Sequence, residues 1–478
     1  MTQNSFASLS LPAALLMNLD SLGYAEMTPI QAQSLPLILA GKDVIGQART
    51  GSGKTAAFGL GLLAALDVKK FHVQALVLCP TRELADQVAK AIRELARTVP
   101  NVKVLNLCGG VPFGPQATSL ERGAHIVVGT PGRLDDHIRK NTLRLDKLGI
   151  LVLDEADRMF DMGFQEELDA IVAATPTQRQ TLLFSATFQD EIEAVAARIT
   201  REPGRVTATE SHDSSSIEQH FFQAEDDAAR LDAVRLLLLK YEPESTLVFC
   251  KTKQQTRELA EALRGHRIST LAIHGDLEQS GRDQTLVRFA NKSVSVLVAT
   301  DVAARGLDID ALDAVVNYQL PSDVDTYVHR IGRTGRAGGT GMAFSLFGRK
   351  ERYKIERLEK HFAQDIEADT LPAADLLEEP PAKPAMATLQ IDGGKKQKLR
   401  PGDILGALTG EQGIKGDQVG RINIFDNHSY VAVSRNAAQA ALRKLGEGKL
   451  KGRRFKVRQV HGQPSNSRRL ASRRNRKR

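Results

Sequence analysis

Residues 48–55 read ARTGSGKT, and these residue types are those of a polyphosphate grip. Gly51 and Gly53 let backbone N–H groups approach phosphate oxygens, with Ser52 between them. Lys54 supplies a cation for the β and γ phosphates, and Thr55 offers a hydroxyl to Mg²⁺. DVIG before the loop reads as a strand end and KTAAFGLGLLAAL after it as a helix start, the context such a loop needs. Ala48 stands where the G-x-x-x-x-G-K-[ST] pattern has its first glycine, so by itself the pattern leaves a structural turn open. A second cluster adds the missing chemistry. Asp154, Glu155 and Asp157 follow the apolar run ILVL. Asp154 suits a seat beside Mg²⁺, and Glu155 the orientation or deprotonation of an attacking water. The other use of acids at such a place is a plain helix N-cap.

These residues have to be held by something, and the apolar runs say what. QALVLCPT, HIVVGTPG, ILVLDEAD and TLLFSAT lie in the first half, and TLVFCKT, VSVLVATD and AVVNYQLP in the second. Unbroken apolar runs of this length predict strands buried on both faces, hence parallel sheets with helical crossovers. The expected fold is therefore α/β, with two domains that repeat one architecture. Polar residues follow most of the runs directly, which places them at the carboxyl edge of each sheet, where open parallel sheets bind ligands. Residues 201–216 lack apolar periodicity and read as a hinge, and 369–385 as a second linker.

Bulk properties agree with several domains, since 478 residues exceed what one core supports. Cys79, Cys108 and Cys250 are too far apart for a paired motif and read as buried thiols of a reducing compartment. The N-terminus has no basic start of a signal peptide and no apolar run is long enough for a membrane helix, so the expectation is a soluble, cytoplasmic protein with no membrane partner. Charge is uneven. The chain carries net +8; residues 466–478 hold seven Lys or Arg and no acid, and residues 385–465 fifteen basic and six acidic. Subtracting those +7 and +9 leaves −8 for residues 1–384. An acidic body with a basic C-terminal region implies a polyanionic partner, most simply nucleic acid, with a surface kept basic for solubility as the alternative.

Over residues 5–365 the motifs resemble the DEAD-box family of RNA-dependent ATPases. They come in the family's order: Phe6 and TPIQ (28–31), ARTGSGKT, PTRELA (80–85), Gly109 and Gly110, TPGR (130–133), DEAD (154–157), SAT (185–187), ATDVAARGLD (299–308) and HRIGRTGR (329–336). The family itself places alanine at the position of Ala48. The resemblance implies two tandem RecA-like domains, 1–208 and 217–365, that bind ATP and Mg²⁺ and act on RNA. It implies ATP-binding roles for Phe6, Thr28, Gln31 (the adenine reader), Gly51, Ser52, Gly53, Lys54, Thr55 and Asp308 (a ribose contact). Thr55 and Asp154 would hold the metal; Arg333 and Arg336 would be arginine fingers. Ser185 and Thr187 would relay the nucleotide state through Asp157, although a helix cap is equally compatible. RNA contacts are implied for Thr81, Arg82, Gly109, Gly110, Thr130 and Arg133, and for Arg282 and Thr300 in the second domain. Such groups meet phosphate and carry no sequence information.

Specificity is then expected from the C-terminal region. ATLQIDGG, GRINIFDN, HSYVAVS and RRFKVRQV read as four strands, and PGDILGALTG and NAAQAALRKLG as helices. This β-α-β-β-α-β order matches an RNA-recognition fold over residues 386–461, after a linker 366–385 and before a basic, disordered tail 462–478. His428 and Tyr430 fall near the positions where that fold stacks bases, whereas TLQIDG has no aromatic. Two basic clusters are the better contact candidates: Lys395, Lys396, Lys398 and Arg400, and Lys451, Arg453 and Arg454. The module is similar to that of a bacterial DEAD-box branch devoted to ribosomal RNA, which implies a large-subunit hairpin and pre-ribosomal particles as partners of a monomeric enzyme. Two alternatives stay open: a general helicase of messenger RNA turnover or cold adaptation, and an RNA-binding scaffold whose ATP site acts as a clamp.

Overall fold

The computed structural model describes residues 4–48, 51–188, 190–208, 217–304, 312–335, 340–411 and 413–463. Seven strands form the first sheet: β1 (Val44–Gln47), β2 (Ala75–Leu78), β3 (Val104–Leu107), β4 (Ile126–Gly129), β5 (Ile150–Asp154), β6 (Gln180–Ser185) and β7 (Gly204–Thr207). All pair in parallel, in the order β3-β4-β2-β5-β6-β1-β7. The apolar runs explain the arrangement. In β5, Leu151 and Leu153 enter the core on one face and Val152 the core on the other, so the strand needs helices on both sides. β7 comes from the segment read as a hinge. Only Val206 of its four residues is buried, the pattern of a weakly covered edge.

A second parallel sheet follows the same logic in the order β10-β11-β9-β12-β13-β8. Its strands are β8 (Ile217–Gln223), β9 (Thr246–Cys250), β10 (Thr270–Ile273), β11 (Val296–Thr300), β12 (Ala314–Asn317) and β13 (Gly341–Phe347). The third sheet is antiparallel, β15-β16-β14-β17. It is built from β14 (Met386–Ile391), β15 (Val419–Ile424), β16 (Ser429–Ser434) and β17 (Val457–Gln459). The helices Pro401–Thr409 and Ala438–Glu447 cover one of its faces, burying Leu389, Ile391, Ile404, Leu408, Val431, Val433 and Leu445. The expected β-α-β-β-α-β order is the observed one. The chain divides into two compact units, the first holding the first sheet and the second the other two. Among the described residues no helix is long and apolar enough to cross a membrane.

The segment 366–385, expected as a linker, is strapped to its neighbours. Asp369 extends the second sheet beside Phe222, accepting from the backbone N–H of Phe221 at 3.0 Å, and His220 lies 3.3 Å from its carboxylate. Arg235 donates to the carbonyl of Leu377 at 3.2 Å, and the Arg435 backbone N–H to that of Ala385 at 2.8 Å. Proline and acid content made it look like a spacer, but its few backbone contacts tie it down at both ends.

Candidate functional site

The order of the first sheet sorts the motifs. The three strands at one side, β3, β4 and β2, lead into Gly109–Gly110, Thr130–Arg133 and Thr81–Arg82, and the next three, β5, β6 and β1, lead into Asp154–Asp157, Ser185–Thr187 and the glycine loop. One carboxyl edge thus presents two adjoining sites, and β2 and β5 are the boundary.

At the second of them lies a cavity of about 310 Å³ lined by Thr28, Gln31, Gly53, Lys54, Thr55, Asp154 and Glu155, among others. Gly53 adopts φ +95° to start the helix Lys54–Ala65, and a Cβ there would sit 2.5 Å from the Gln31 amide nitrogen, so glycine is required twice over. Gln31 accepts from the Thr28 backbone N–H at 2.9 Å and donates to the Gly53 carbonyl at 3.1 Å, locking the loop to the helix Pro29–Leu39. Lys54 Nζ donates to the Ala48 carbonyl at 2.8 Å and lies 4.0 Å from Asp154.

Burial pushes the Asp154 carboxyl up to about 6, with Lys54 pulling the other way. Its Oδ1 is buried without a hydrogen-bond partner. An orphaned carboxylate oxygen beside a Thr hydroxyl and an ammonium fits a divalent cation carried in with a polyphosphate. Glu155 has φ +54° at the N-cap of the helix Ala156–Asp161, and Arg158 donates to its Oε2 at 2.7 Å, both side chains buried. Asp157 accepts from the backbone N–H groups of Ala186 and Thr187 at 3.1 and 3.2 Å and from the Thr187 hydroxyl at 3.4 Å. Ser185 Oγ accepts from the Asp157 N–H at 3.3 Å and donates to the Thr187 carbonyl at 2.6 Å. The relay expected of Ser185 and Thr187 therefore has a physical path into the acid cluster.

Not every expected residue reaches the cavity. Phe6 is buried and packs edge-on against Tyr24, ring centroids 6.1 Å apart, and Tyr24 is the aromatic that lines the cavity. Tyr24 and Arg158 were missed by sequence reasoning; an Arg three residues after Glu155 on a helix start is the signal that could have found the second.

Along the other site Arg82 lies over the double glycine. A Cβ on Gly110, whose φ is +78°, would come within 1.8 Å of its guanidinium. Arg133 donates to the Val111 carbonyl at 3.1 Å and to Gln116 at 2.7 Å, and Gln116 donates to the Cys108 carbonyl at 3.0 Å. His137 stands behind them, fully buried, stacked on Phe113 and bonded to Gln116 and Thr142. Thr81 caps the helix Arg82–Leu95 through its hydroxyl, while Thr130 sits at the N-cap of Pro131–Arg139.

In the second unit Thr300 ends β11, its hydroxyl accepting from the Ala303 N–H at 3.3 Å, and Arg282 donates to the Ala303 carbonyl at 2.9 Å. Arg333 is 6% exposed. Asp308, Arg336 and the tail from Pro464 lie outside the described residues. In the third sheet the two basic loops converge, with Lys451 donating to the Lys398 carbonyl at 2.7 Å. Lys395, Lys396, Lys398, Arg400, Lys451, Arg453 and Arg454 are all exposed. Tyr430 is not: it is 3% exposed, with its hydroxyl 3.4 Å from Gln284, so the expectation of a stacking platform at this ring is corrected.

Two parallel-sheet domains, a phosphate loop facing an acid cluster, and a basic recognition module define a nucleotide-driven enzyme that works on RNA. Family comparisons agree residue range by residue range: DEAD/DEAH box helicase over 28–195, helicase conserved C-terminal domain over 229–338, and DbpA RNA binding domain over 388–459. The chain is 51% identical over 455 residues to the ATP-dependent RNA helicase DbpA of Escherichia coli K12, covering 95% of this chain and 99% of that one. It is 43% identical over 371 residues to the DEAD-box helicase CshA of Geobacillus kaustophilus, covering 78% and 79%. Among solved structures, S. cerevisiae Dbp5 bound to RNA and ADP BeF3 matches with TM-score 0.69 and 31% identity, over 77% of this chain and 96% of that one. The chain belongs to the DEAD-box ATP-dependent RNA helicases and is DbpA-like, with two RecA-like domains and a DbpA RNA-binding domain.

Proposed function

We propose that this helicase is directed by its C-terminal domain to a hairpin of large-subunit ribosomal RNA and serves the assembly of that subunit. The observation that carries the reading is the convergence of two exposed basic loops on a domain matching the DbpA RNA-binding family. In this reading it works as a cytoplasmic monomer on pre-ribosomal particles, and its sheet edges grip RNA without sequence preference.

The residues then take these parts. Gln31 and Thr28 hold the adenine end and the glycine loop with Lys54 the phosphates. Thr55 and Asp154 would hold Mg²⁺, which when bound polarises the phosphate oxygens and neutralises developing charge. Glu155, kept in place by Arg158, orients the attacking water. Arg333 and Arg336 supply positive charge to the transferring phosphoryl group. Thr81, Arg82, Gly109, Gly110, Thr130, Arg133, Arg282 and Thr300 bind the RNA backbone.

Equilibrium binding tests the targeting. A fragment carrying the large-subunit hairpin should bind the full chain more tightly than an unrelated hairpin of equal length. Replacing Lys396, Arg453 and Arg454 by Ala should weaken it by roughly tenfold per lost contact. Equal affinity for both hairpins would move the enzyme to the general messenger-RNA and cold-adaptation role.

A further inference from the structure

Gly109–Gly110 follow β3 and Arg133 follows β4, and one side chain from outside every sequence motif is bonded to both segments. Gln116, on the helix Phe113–Glu121, is 8% exposed and has three partners. Its amide nitrogen donates to the carbonyl of Cys108, the residue before the glycine pair, at 3.0 Å. Its Oε1 accepts from Arg133 Nη1 at 2.7 Å and lies 3.1 Å from His137 Nε2. The turn after β3 and the helix after β4 are thereby fastened to a single amide.

The protons of this cluster have one consistent placing. Turning the amide over would set its oxygen against the Cys108 carbonyl and its NH₂ against the Arg133 guanidinium, so the oxygen has to face Arg133. Oε1 can then meet His137 only where Nε2 carries a proton. Burial, with Arg133 and Lys140 nearby, takes the imidazole down to about 4, so at neutral pH the ring holds a single proton. That proton is on Nε2, and Nδ1 accepts from the Thr142 hydroxyl at 2.8 Å. The plane of the ring is set as well, by stacking on Phe113 with centroids 4.1 Å apart at 17°. Donors therefore run one way, from Thr142 through His137 and Gln116 to the Cys108 carbonyl, and each link polarises the next.

The consequence appears on Arg133. Its bonds to Gln116 and to the Val111 carbonyl both use Nη1. Nε is buried without a hydrogen-bond partner, with Asp136 3.8 Å away. The side-on edge of a guanidinium, Nε with Nη2, is one that grips a phosphate through two parallel bonds, and here it takes no hydrogen bond from the described residues. An arginine pinned in this way has given up its rotamer freedom on folding and does not lose it again when a ligand arrives.

We propose that Gln116 is a positioning residue that locks Arg133 and the Gly109–Gly110 turn into one preformed phosphate clamp on the first RecA-like domain. This rests on the reading above that Arg133 and the glycine pair bind the RNA backbone. Gln116 itself touches no RNA; it sets the spacing and orientation of the groups that do.

The test titrates the full chain with single-stranded RNA lacking any hairpin and follows ATPase. Gln116→Met keeps the length of the side chain and removes all three bonds. It should raise the half-saturating RNA concentration by about tenfold, the scale of one lost phosphate contact, with the maximal rate and the KM for ATP within about twofold of wild type. Should that variant not fold, Gln116→Glu keeps the size and the acceptors but turns the group facing Cys108 from donor to acceptor, and the same rise is expected. In the Arg133→Ala background Gln116→Met should add little, because its effect passes largely through that guanidinium. A ¹⁵N spectrum of the wild type should show His137 protonated at Nε2. A lower unfolding midpoint with unchanged RNA half-saturation would reduce Gln116 to packing and overturn the proposal, as would an effect fully additive with Arg133→Ala or a proton found on Nδ1 alone. Arg133→Ala without any effect on RNA half-saturation would overturn the RNA reading of Arg133 and the clamp with it.

Discussion

Glu155 sits in the left-handed region with its carboxylate bonded to Arg158, a costly conformation for a side chain whose sole duty is capping. Its assigned duty, orienting water, predicts that Glu155→Gln leaves ATP binding intact and lowers RNA-stimulated ATPase by about 10²- to 10⁴-fold; a rate within twofold of wild type would remove Glu155 from the mechanism. Gly110 gives a second prediction at this scale. Gly110→Ala forces a Cβ into the Arg82 guanidinium at a positive φ. The RNA concentration for half-maximal ATPase should rise severalfold while the maximal rate holds, as measured by titration with single-stranded RNA. Most of the site was legible at this scale because Lys54, Asp154 and Glu155 lie in short contiguous motifs. Tyr24 was not legible, since its place beside the cavity depends on how Phe6 packs and leaves no mark in local spacing.

At the scale of elements, the sheet order puts the loops proposed for RNA and those proposed for ATP on neighbouring strands, so a change at β5 is next to one at β2. The runs behind β2, β4, β5, β6, β9, β11 and β12 were readable because strands covered on both faces must be apolar throughout. β3, β7 and β8 escaped notice for the opposite reason: each is an edge, half-covered, with polar residues mixed in.

His137 belongs to this scale, bracing the loop that carries Gly109 and Gly110. Burial lowers its imidazole from 6.5 to about 4. The unfolded chain then binds the extra proton between those values, so His137 stabilises fully above pH 6.5 and its contribution is lost as pH falls toward 4. Urea unfolding of the first domain's signal at pH 7.5 and 5 should show a loss, up to about 2 kcal/mol from this group, that shrinks in His137→Leu. Identical losses in both proteins would contradict the assignment.

The whole molecule pairs an acidic ATPase body with a basic C-terminal region, and the charge division along the sequence already said where the specificity should lie. What it could not say is how that region is mounted, because the holding contacts run between residues about a hundred positions apart, as between Asn291 and Thr388. For the tail, deletion of residues 466–478 should flatten the salt dependence of RNA binding by up to about 0.7 in slope per lost phosphate contact on single strands. An unchanged slope would mean that the tail does not touch RNA.

The most direct measurement of the central claim is the ATPase rate of the full chain in limiting RNA, comparing the large-subunit hairpin fragment with an unrelated hairpin of equal length. The account predicts strong stimulation by the first, weak stimulation by the second, and loss of the difference when Lys396, Arg453 and Arg454 are replaced by Ala. Equal stimulation by both RNAs in the wild-type chain would contradict it.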